Sequence, residues 1–427
     1  MINQVEKKNP KRRFKEFLGK ENWNVHTLGT VLMSMYNGQT PSRSKGEYWN
    51  GKINWLTSGE LNCGIVNDTF EKITELGLDS AKLKIIPKGI LVIAITGLEA
   101  SGTRGNCAIL GCNTTLNQSC MALFPIRSLI SSDFLFYWYL FIGDYYGIKY
   151  TQGTKQQSYN AKILNDLEIL IPSLDEQNKI SSFFSKLDSM IDFQKRKLDK
   201  LEATKKALLQ EIFPEEGQDK PKRRFKGFTG AWEQCKFVDL LDPENGIRRG
   251  PFGSSLKKDS FVKKSDYVVY EQQNAIYDNY ETRYFISREK YNELIRFNIQ
   301  PGDFIMSGAG TIGRISMVPD GIKKGVFNQA LIRFKVNKDS VDPLYFLKFM
   351  QSDMMQKQLT QANPGSAMTN LVPMDELKKW NIVIPSFEEQ NRISTFIKQI
   401  DDVITLHQRK LDKLKNLKQA YLNEMFV

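Results

Sequence analysis

At 427 residues the chain exceeds one ordinary core, and domains of roughly 100–200 residues give it two to four. A hydrophobic fraction of 41%, with 26 Phe, 16 Tyr and 6 Trp, excludes intrinsic disorder, and no run approaches the ~18 uncharged apolar residues of a membrane helix. A formal charge of +12 makes nucleic acid the leading partner class, because clustered Lys and Arg gain affinity by releasing counterions condensed on phosphate.

The N-terminus, MINQVEKKNPKRRFK, lacks the apolar segment of a secretion signal, so the cytoplasm is the expected location. Pro10-Lys11-Arg12-Arg13-Phe14-Lys15 opens the chain and is followed by Trp23. Further on, Gly89 precedes the apolar run ILVIAI, a Gly-Thr-x-Gly turn falls at Gly102–Gly105, and Asn117-Gln118 follows. An Asp-led aromatic segment, DFLFYWYL, and a Gly153-Thr154 turn complete the series. The five cysteines, Cys63, Cys107, Cys112, Cys120 and Cys235, are an odd number that suits reduced thiols. Zinc held by Cys107, Cys112 and Cys120 would lack any Cys-x2-Cys pair, and both histidines, His26 and His407, are distant.

From Ile171 the sequence IPSLDEQNKISSFFSKLDSMIDFQKRKLDKLEATKKALLQEIF predicts a long helix. Its start is marked by Pro172 and a capping box, Ser173 with Glu176. Apolar residues at alternating three- and four-residue steps, Ile180, Phe184, Leu187, Ile191, Leu198, Leu201, Leu208 and Ile212, form a coiled-coil seam. The segment PEEGQDKPKRRFKGFTG, rich in Pro, Gly and charge, then reads as a linker.

Beyond it the chain is written a second time. Pro221-Lys222-Arg223-Arg224-Phe225-Lys226 and Trp232 repeat the opening. Gly302, the Gly310–Gly313 turn, Asn328-Gln329, DPLYFLKF and Gly365-Ser366 repeat the rest, with β-like runs KFVDL, DYVVY and ALIRFKV between them. At an offset of 213 residues, IPSFEEQNRISTFIKQIDDVITLHQRKLDKLKNLKQAYLNEMF repeats the helix, opening on Ser386 with Glu389. Its seam is Ile393, Ile397, Ile400, Ile404, Leu411, Leu414, Tyr421 and Met425. Such a helix is roughly 60 Å long at ~1.5 Å per residue, too long to bury in one small domain, and its nearest partner is the other copy.

The expected architecture is therefore α/β (α+β). Mixed modules at 1–172 and 231–385 are separated by helices at 173–213 and 386–427, with a linker at 214–230. The helices are expected to pair as an antiparallel intramolecular coiled coil with a pseudo-twofold axis.

Missing motifs narrow the chemistry. There is no Gly-x-x-x-x-Gly-Lys-Ser/Thr phosphate loop, no Asn/Asp-Pro-Pro-aromatic stretch for methylating a base amine, and no local metal or triad cluster. What remains is Arg, Lys, Asn and Gln beside glycine turns, side chains able to contact guanine or adenine edges in the major groove. The candidates are Arg104, Asn106, Lys155, Gln156 and Gln157 in the first module and Arg248, Arg249, Gln272, Gln273 and Arg314 in the second. Asn117-Gln118 and Asn328-Gln329 recur in both halves and are expected to hold the fold; the twin Lys-Arg-Arg patches are expected to meet phosphate or a partner subunit.

The order module, helix, module, helix resembles the specificity subunit of type I restriction–modification systems. Its carriers are IPSLDEQNKI and IPSFEEQNRI, the helix centres QKRKLDKL and HQRKLDKL, and PKRRFKGFTGAWEQCK, and the resemblance covers essentially the whole chain. It implies a non-catalytic subunit whose two target recognition domains each read half of a split site in double-stranded DNA. The helices would set the spacing and dock two methyltransferase subunits, with motor–nuclease subunits joining to cut unmodified DNA. S-adenosylmethionine, ATP and magnesium would belong to those partners, leaving no cofactor and no metal in this chain. The alternatives are a stand-alone bipartite DNA-binding regulator and a coiled-coil structural protein.

Overall fold

The computed structural model describes residues 9–62, 64–98, 102–150, 158–361 and 373–427. In chain order the first module comprises β1 (Asn24–Thr27), α1 (Leu28–Val31), β2 (Leu32–Asn37), β3 (Trp49–Leu56), β4 (Gly64–Val66), β5 (Glu71–Ile73), α2 (Glu75–Ser80), β6 (Leu91–Ala94), β7 (Cys107–Leu110), β8 (Thr115–Leu116), β9 (Cys120–Pro125), α3 (Ser132–Lys149), α4 (Ala161–Asp166) and β10 (Glu168–Ile171). The long helix α5 (Leu174–Ile212) follows. The second module comprises β11 (Glu233–Lys236), β12 (Ile247–Arg249), β13 (Phe261–Val262), β14 (Tyr267–Tyr270), α6 (Gln272–Tyr277), β15 (Tyr284–Ile286), α7 (Arg288–Glu293), β16 (Phe304–Ser307), β17 (Ile315–Met317), β18 (Lys324–Phe327), β19 (Leu331–Phe334), α8 (Pro343–Met350), α9 (Asp353–Gln361), α10 (Met374–Leu377) and β20 (Asn381–Ile384), before helix α11 (Phe387–Met425).

These elements form two compact units whose limits fall inside the long helices, where the sequence suggested limits at their ends. Unit 1 is Met1–Arg196 with Arg409–Val427, and unit 2 is Lys197–Gln408. Each unit thus holds one module, the first part of the helix that follows it, and the last part of the other helix.

In unit 1 the sheet order is β2-β9-β6-β7-β4, beside a smaller sheet β5-β3-β8. Strand β6 is buried along its whole length, as its run Leu-Val-Ile-Ala requires of a central strand covered on both faces. The aromatic helix α3 buries six consecutive residues, Phe134 to Tyr139, because its apolar residues run all round the helix instead of along one stripe. Its hydroxyls reach partners at the margins: Tyr137 donates to Asp188 and Tyr146 to the Glu168 carbonyl. Unit 2 distributes its strands differently, into β12-β19-β16-β17 and β13-β15-β14-β18.

The frame under these unlike sheets is the same in both units. Strand β1 pairs antiparallel with β10, Asn24 opposite Ile171, and β11 pairs antiparallel with β20, Glu233 opposite Ile384. Trp23 and Trp232 are buried just before those strands. Trp23 meets Phe134 and Phe426 edge-on, while Trp232 meets Tyr345, which in turn packs on Phe213.

In unit 1, Phe183 of α5 packs against Tyr421 of α11 with ring centroids 5.0 Å apart, and Asp188 accepts from Lys418 at 2.5 Å. Advancing along α5 means retreating along α11, so these helix portions run antiparallel. In unit 2, Lys205 pairs with Asp401, and Ile212 shares a core with Ile393 and Ile397, again antiparallel. Of the seam residues, Ile180, Phe184, Leu187, Leu198, Ile212, Ile393, Ile397, Leu411 and Met425 are buried. Ile191, Leu201, Leu208, Ile400, Ile404, Leu414 and Tyr421 are half-buried.

The opening of each helix departs from the simple capping box. Ser173 and Ser386 do accept the N–H groups of Glu176 and Glu389, each at 3.4 Å. The glutamate carboxylates, however, turn away to bind arginine. Arg13 donates twice to Glu176 at 2.8 and 2.6 Å, and Arg224 twice to Glu389 at 2.9 and 2.6 Å. With side-chain exposures of 7% and 2% for the first pair, the partners are removed from solvent, and the charge-assisted fork holds both guanidinium groups above their ordinary pKa.

Arg12 and Arg223, the neighbours of those arginines, reach Glu424 and Glu211 near the ends of α11 and α5. Arg12 and Arg223 therefore tie helix ends to their modules while remaining more than half exposed. Residues 214–230 form no helix or strand, yet Arg223, Arg224 and the contact of Phe225 with Phe396 tie them to unit 2.

The next residue of each repeat, Gln177 or Gln390, completes the frame. Gln177 accepts from the N–H of Ser131 and donates to the carbonyls of Leu129 and Pro172. Gln390 accepts from the N–H of Asp342 and donates to those of Ser340 and Pro385. Both satisfy backbone groups at the entry to the aromatic helix that would otherwise be buried without partners.

Candidate nucleic-acid interface

The repeated Asn-Gln pair makes the same tight corner in each unit. Asn117 Oδ1 accepts from the N–H of Ser119, and Asn328 Oδ1 from that of Ala330, an Asx turn in each case. Gly38 and Gly250 cross these corners so closely that a Cβ would lie 1.9 Å from the Leu116 and Asn328 carbonyl oxygens. Only glycine permits that approach, and the pair acts as the structural element the sequence suggested.

In unit 2 the corner stands at one end of the sheet β12-β19-β16-β17. Arg249 is in register with Ile332, Ile332 with Met306, and Met306 with Ile315, the residue after Arg314. Arg249 and Arg314 consequently share that end, about 14 Å apart at three strand spacings of ~4.8 Å. Both are exposed. Gln272, at the start of α6, donates to the Ala309 carbonyl and so belongs to the same end. The turn beneath Arg314 is rigid: Gly313 has φ +78°, and Ser307 Oγ accepts from Arg314 N at 3.0 Å while donating to the Thr311 carbonyl.

Two other candidates are the chain neighbours of these residues, Arg248 and Gln273. Arg248 is opposite Arg333 on the neighbouring strand, so its side chain leaves the opposite face from Arg249. There Arg333 is 2% exposed and donates to the carbonyls of Asn298 and Asn245; burial lowers its pKa and raises that of nearby Asp303. Gln273 is half-buried in α6.

In unit 1, Asn106 occupies the position after Gly105 that Arg314 occupies after Gly313, and its side chain closes its own turn on the Gly102 carbonyl at 2.7 Å. Arg104 is committed within the module. Its Nε donates to Asp144 at 2.7 Å, its methylenes lie against Gly147, and its side chain is 17% exposed. Lys155, Gln156 and Gln157, with the Gly153-Thr154 and Gly365-Ser366 turns and Cys63, lie outside the described residues. Sequence reading passed over Asn37, which donates to the Gln118 and Cys120 carbonyls, and Arg43, which stacks 3.8 Å above Trp49 while paired with Glu71. No local motif marks either residue; the pairing of β2 with β9 places Asn37, and Arg43 is held from the segment between β2 and β3 by Glu71 and Trp49.

Cys107 and Cys120 are buried, which pushes both thiols far above their ordinary pKa. Cys112 accepts from Asn54. Among the described residues no group of three or more His, Cys, Asp or Glu is arranged to hold a metal, and no helix is long and apolar enough to cross a membrane.

The family model described as type I restriction modification DNA specificity domain matches residues 20–203 and 252–416, most of the chain. The chain belongs to that family. It is a specificity subunit of a type I restriction–modification system, with a role in DNA sequence specificity. The MjaVIII type I specificity subunit of Methanocaldococcus jannaschii is 21% identical, over 96% of this chain and 94% of its own. A solved S subunit from M. genitalium shares the fold with a TM-score of 0.56 at 12% identity, covering 98% of this chain and 99% of that one. The HsdS subunit of Thermoanaerobacter tengcongensis does so at 0.52 and 17%, covering 96% and 99%. These relatives favour a restriction–modification subunit over a stand-alone regulator.

Proposed function

We propose that each module of this specificity subunit reads one half of a split site in double-stranded DNA. The two long helices form an antiparallel coiled coil that fixes the separation of the half-sites near one helical turn, ~34 Å. One duplicated frame carrying two unlike sheets is the observation that supports this reading: common mechanics, separate specificities. A pseudo-twofold axis between the repeats suits the approximate symmetry of the duplex. Joining two modest readers also raises the effective concentration of the second once the first has bound.

Arg249, Gln272 and Arg314 are the residues of unit 2 we assign to base edges or nearby phosphate, with Asn106 and the segment holding Lys155, Gln156 and Gln157 serving unit 1. The helices dock two methyltransferase subunits, and motor–nuclease subunits join through them. Adenine methylation with S-adenosylmethionine, and ATP- and magnesium-dependent cleavage, belong to those partners; this chain contributes recognition and geometry in the cytoplasm, without a cofactor of its own.

The test is the methylation pattern of DNA in a host carrying the partner subunits with and without this chain. A bipartite motif with a fixed gap, present only with the chain, is expected; a continuous motif, or one indifferent to the chain, would contradict the reading.

A further inference from the structure

Phe70 and Phe252 are the most exposed large apolar side chains among the described residues, at 92% and 87%. A phenyl ring held in water forgoes the free energy that its burial would supply. Neither ring is on a slack loop. Phe252 lies between the crossing glycine Gly250 and Gly253, which is against the Gln329 side chain, and its carbonyl accepts from Ser255 N at 2.8 Å. Pro251, immediately before it, is buried.

Phe70 is fastened by a different device. Its N–H donates to Glu60 Oε1 at 2.8 Å, while the other carboxylate oxygen of Glu60 accepts from the N–H and hydroxyl of Thr57. Glu71, the next residue, is in register with Trp55, and Trp55 with Thr115, two residues before Asn117. In two modules with different sheets, an exposed phenylalanine on a fixed mount therefore stands near the repeated Asn-Gln corner. In unit 2 it is flanked by the exposed Arg249.

We propose that Phe252 and Phe70 are wedges that enter the DNA at one base step in each half-site. The inference rests on the reading that each module engages one half of a split site. An apolar ring beside a cation, as Phe252 is beside Arg249, suits this task, since the cation holds the backbone while the ring parts two stacked pairs. Pyrimidine–purine steps unstack most easily, so the wedge adds selectivity for a flexible step without a hydrogen bond to any base.

The experiment uses the full chain with its methyltransferase subunits and duplexes bearing its methylated motif, with 2-aminopurine at successive positions. Fluorescence should rise at one step per half-site with the natural chain. Phe252→Ala should abolish the rise in one half-site only and weaken binding by about tenfold or more, as loss of a ring stacked on a base does. It should leave the slope of log affinity against log salt unchanged, because no phosphate contact is lost. Phe252→Leu should retain most of the affinity, and thermal unfolding of both variants should match the natural chain. No brightening with the natural chain, unaltered binding by Phe252→Ala, a lower salt slope, or failure of the variant to assemble with the methyltransferase before DNA is added would overturn the proposal. Preference of the natural chain for its motif, read in the same titration, separates these outcomes from failure of DNA reading itself.

Discussion

Units 1 and 2 place their closing strands in matching register and staple their helices with matching arginines, yet one builds sheets of five and three strands where the other builds two of four. Positions that fix geometry have kept their chemistry, and positions above the frame have not. One frame position has nonetheless changed. In unit 1 Asp188 accepts from Lys418 and from the Tyr137 hydroxyl; in unit 2 Asp401 meets Lys205 and Lys348. A neutral donor on one side faces a second cation on the other, and burial lowers the pKa of Lys348.

The largest expected effect tests whether the frame is equivalent in both units. Glu176→Ala and Glu389→Ala each leave a covered arginine without its counter-charge, and each should cost about 3–5 kcal/mol in denaturant unfolding. A large loss from one and none from the other would break the equivalence. Arg12→Ala and Arg223→Ala remove partly exposed pairs and should cost less than about 1 kcal/mol by the same measurement.

Lys348→Tyr, which copies unit 1 into unit 2, should be the mildest change and carry a distinct pH dependence. The folded-state pKa of Lys348 lies below its ordinary 10.5, so the folded chain binds this proton less well than the unfolded chain. Its charge therefore opposes folding at neutral pH, and that penalty fades as pH rises toward 10.5. The variant should unfold no more easily than the natural chain at pH 7, with any advantage disappearing above pH 10.5; a loss of stability at pH 7 would show that Lys348 contributes more to Asp401 than its burial costs.

Much of the frame was legible in the sequence because it is local or repeated. The apolar spacing from Ile180 to Ile212 and the Pro-Ser start predict a helix close to Leu174–Ile212, and the copy at an offset of 213 residues predicts the second. The ion pair of Arg13 with Glu176 was not legible, although both residues recur in the second half. They are 163 positions apart, and a nearer serine offered Glu176 a familiar local role. The sharing of helix ends between modules was hidden for the same reason, with Arg12 bound to Glu424 across 412 positions. Sheet pairing such as β3 with β8 or β14 with β18 joins parallel strands distant in the chain, which no local pattern encodes. Of the candidate reading residues, strand register set Arg249 and Arg314 at one end of the sheet and sent Arg248 and Arg249 to opposite faces, a distinction that alternation along a strand supplies only once the strand is known.

Exchange of the second module tests the central claim most directly. A chain whose residues 237–380 are replaced by those of a relative with a different methylation motif should be assayed with the same methyltransferase, and the methylated sites sequenced. Replacement of one half of the motif, with the other half and the gap unchanged, is the result expected from two independent readers on a shared frame; a change in both halves or in the gap would contradict it.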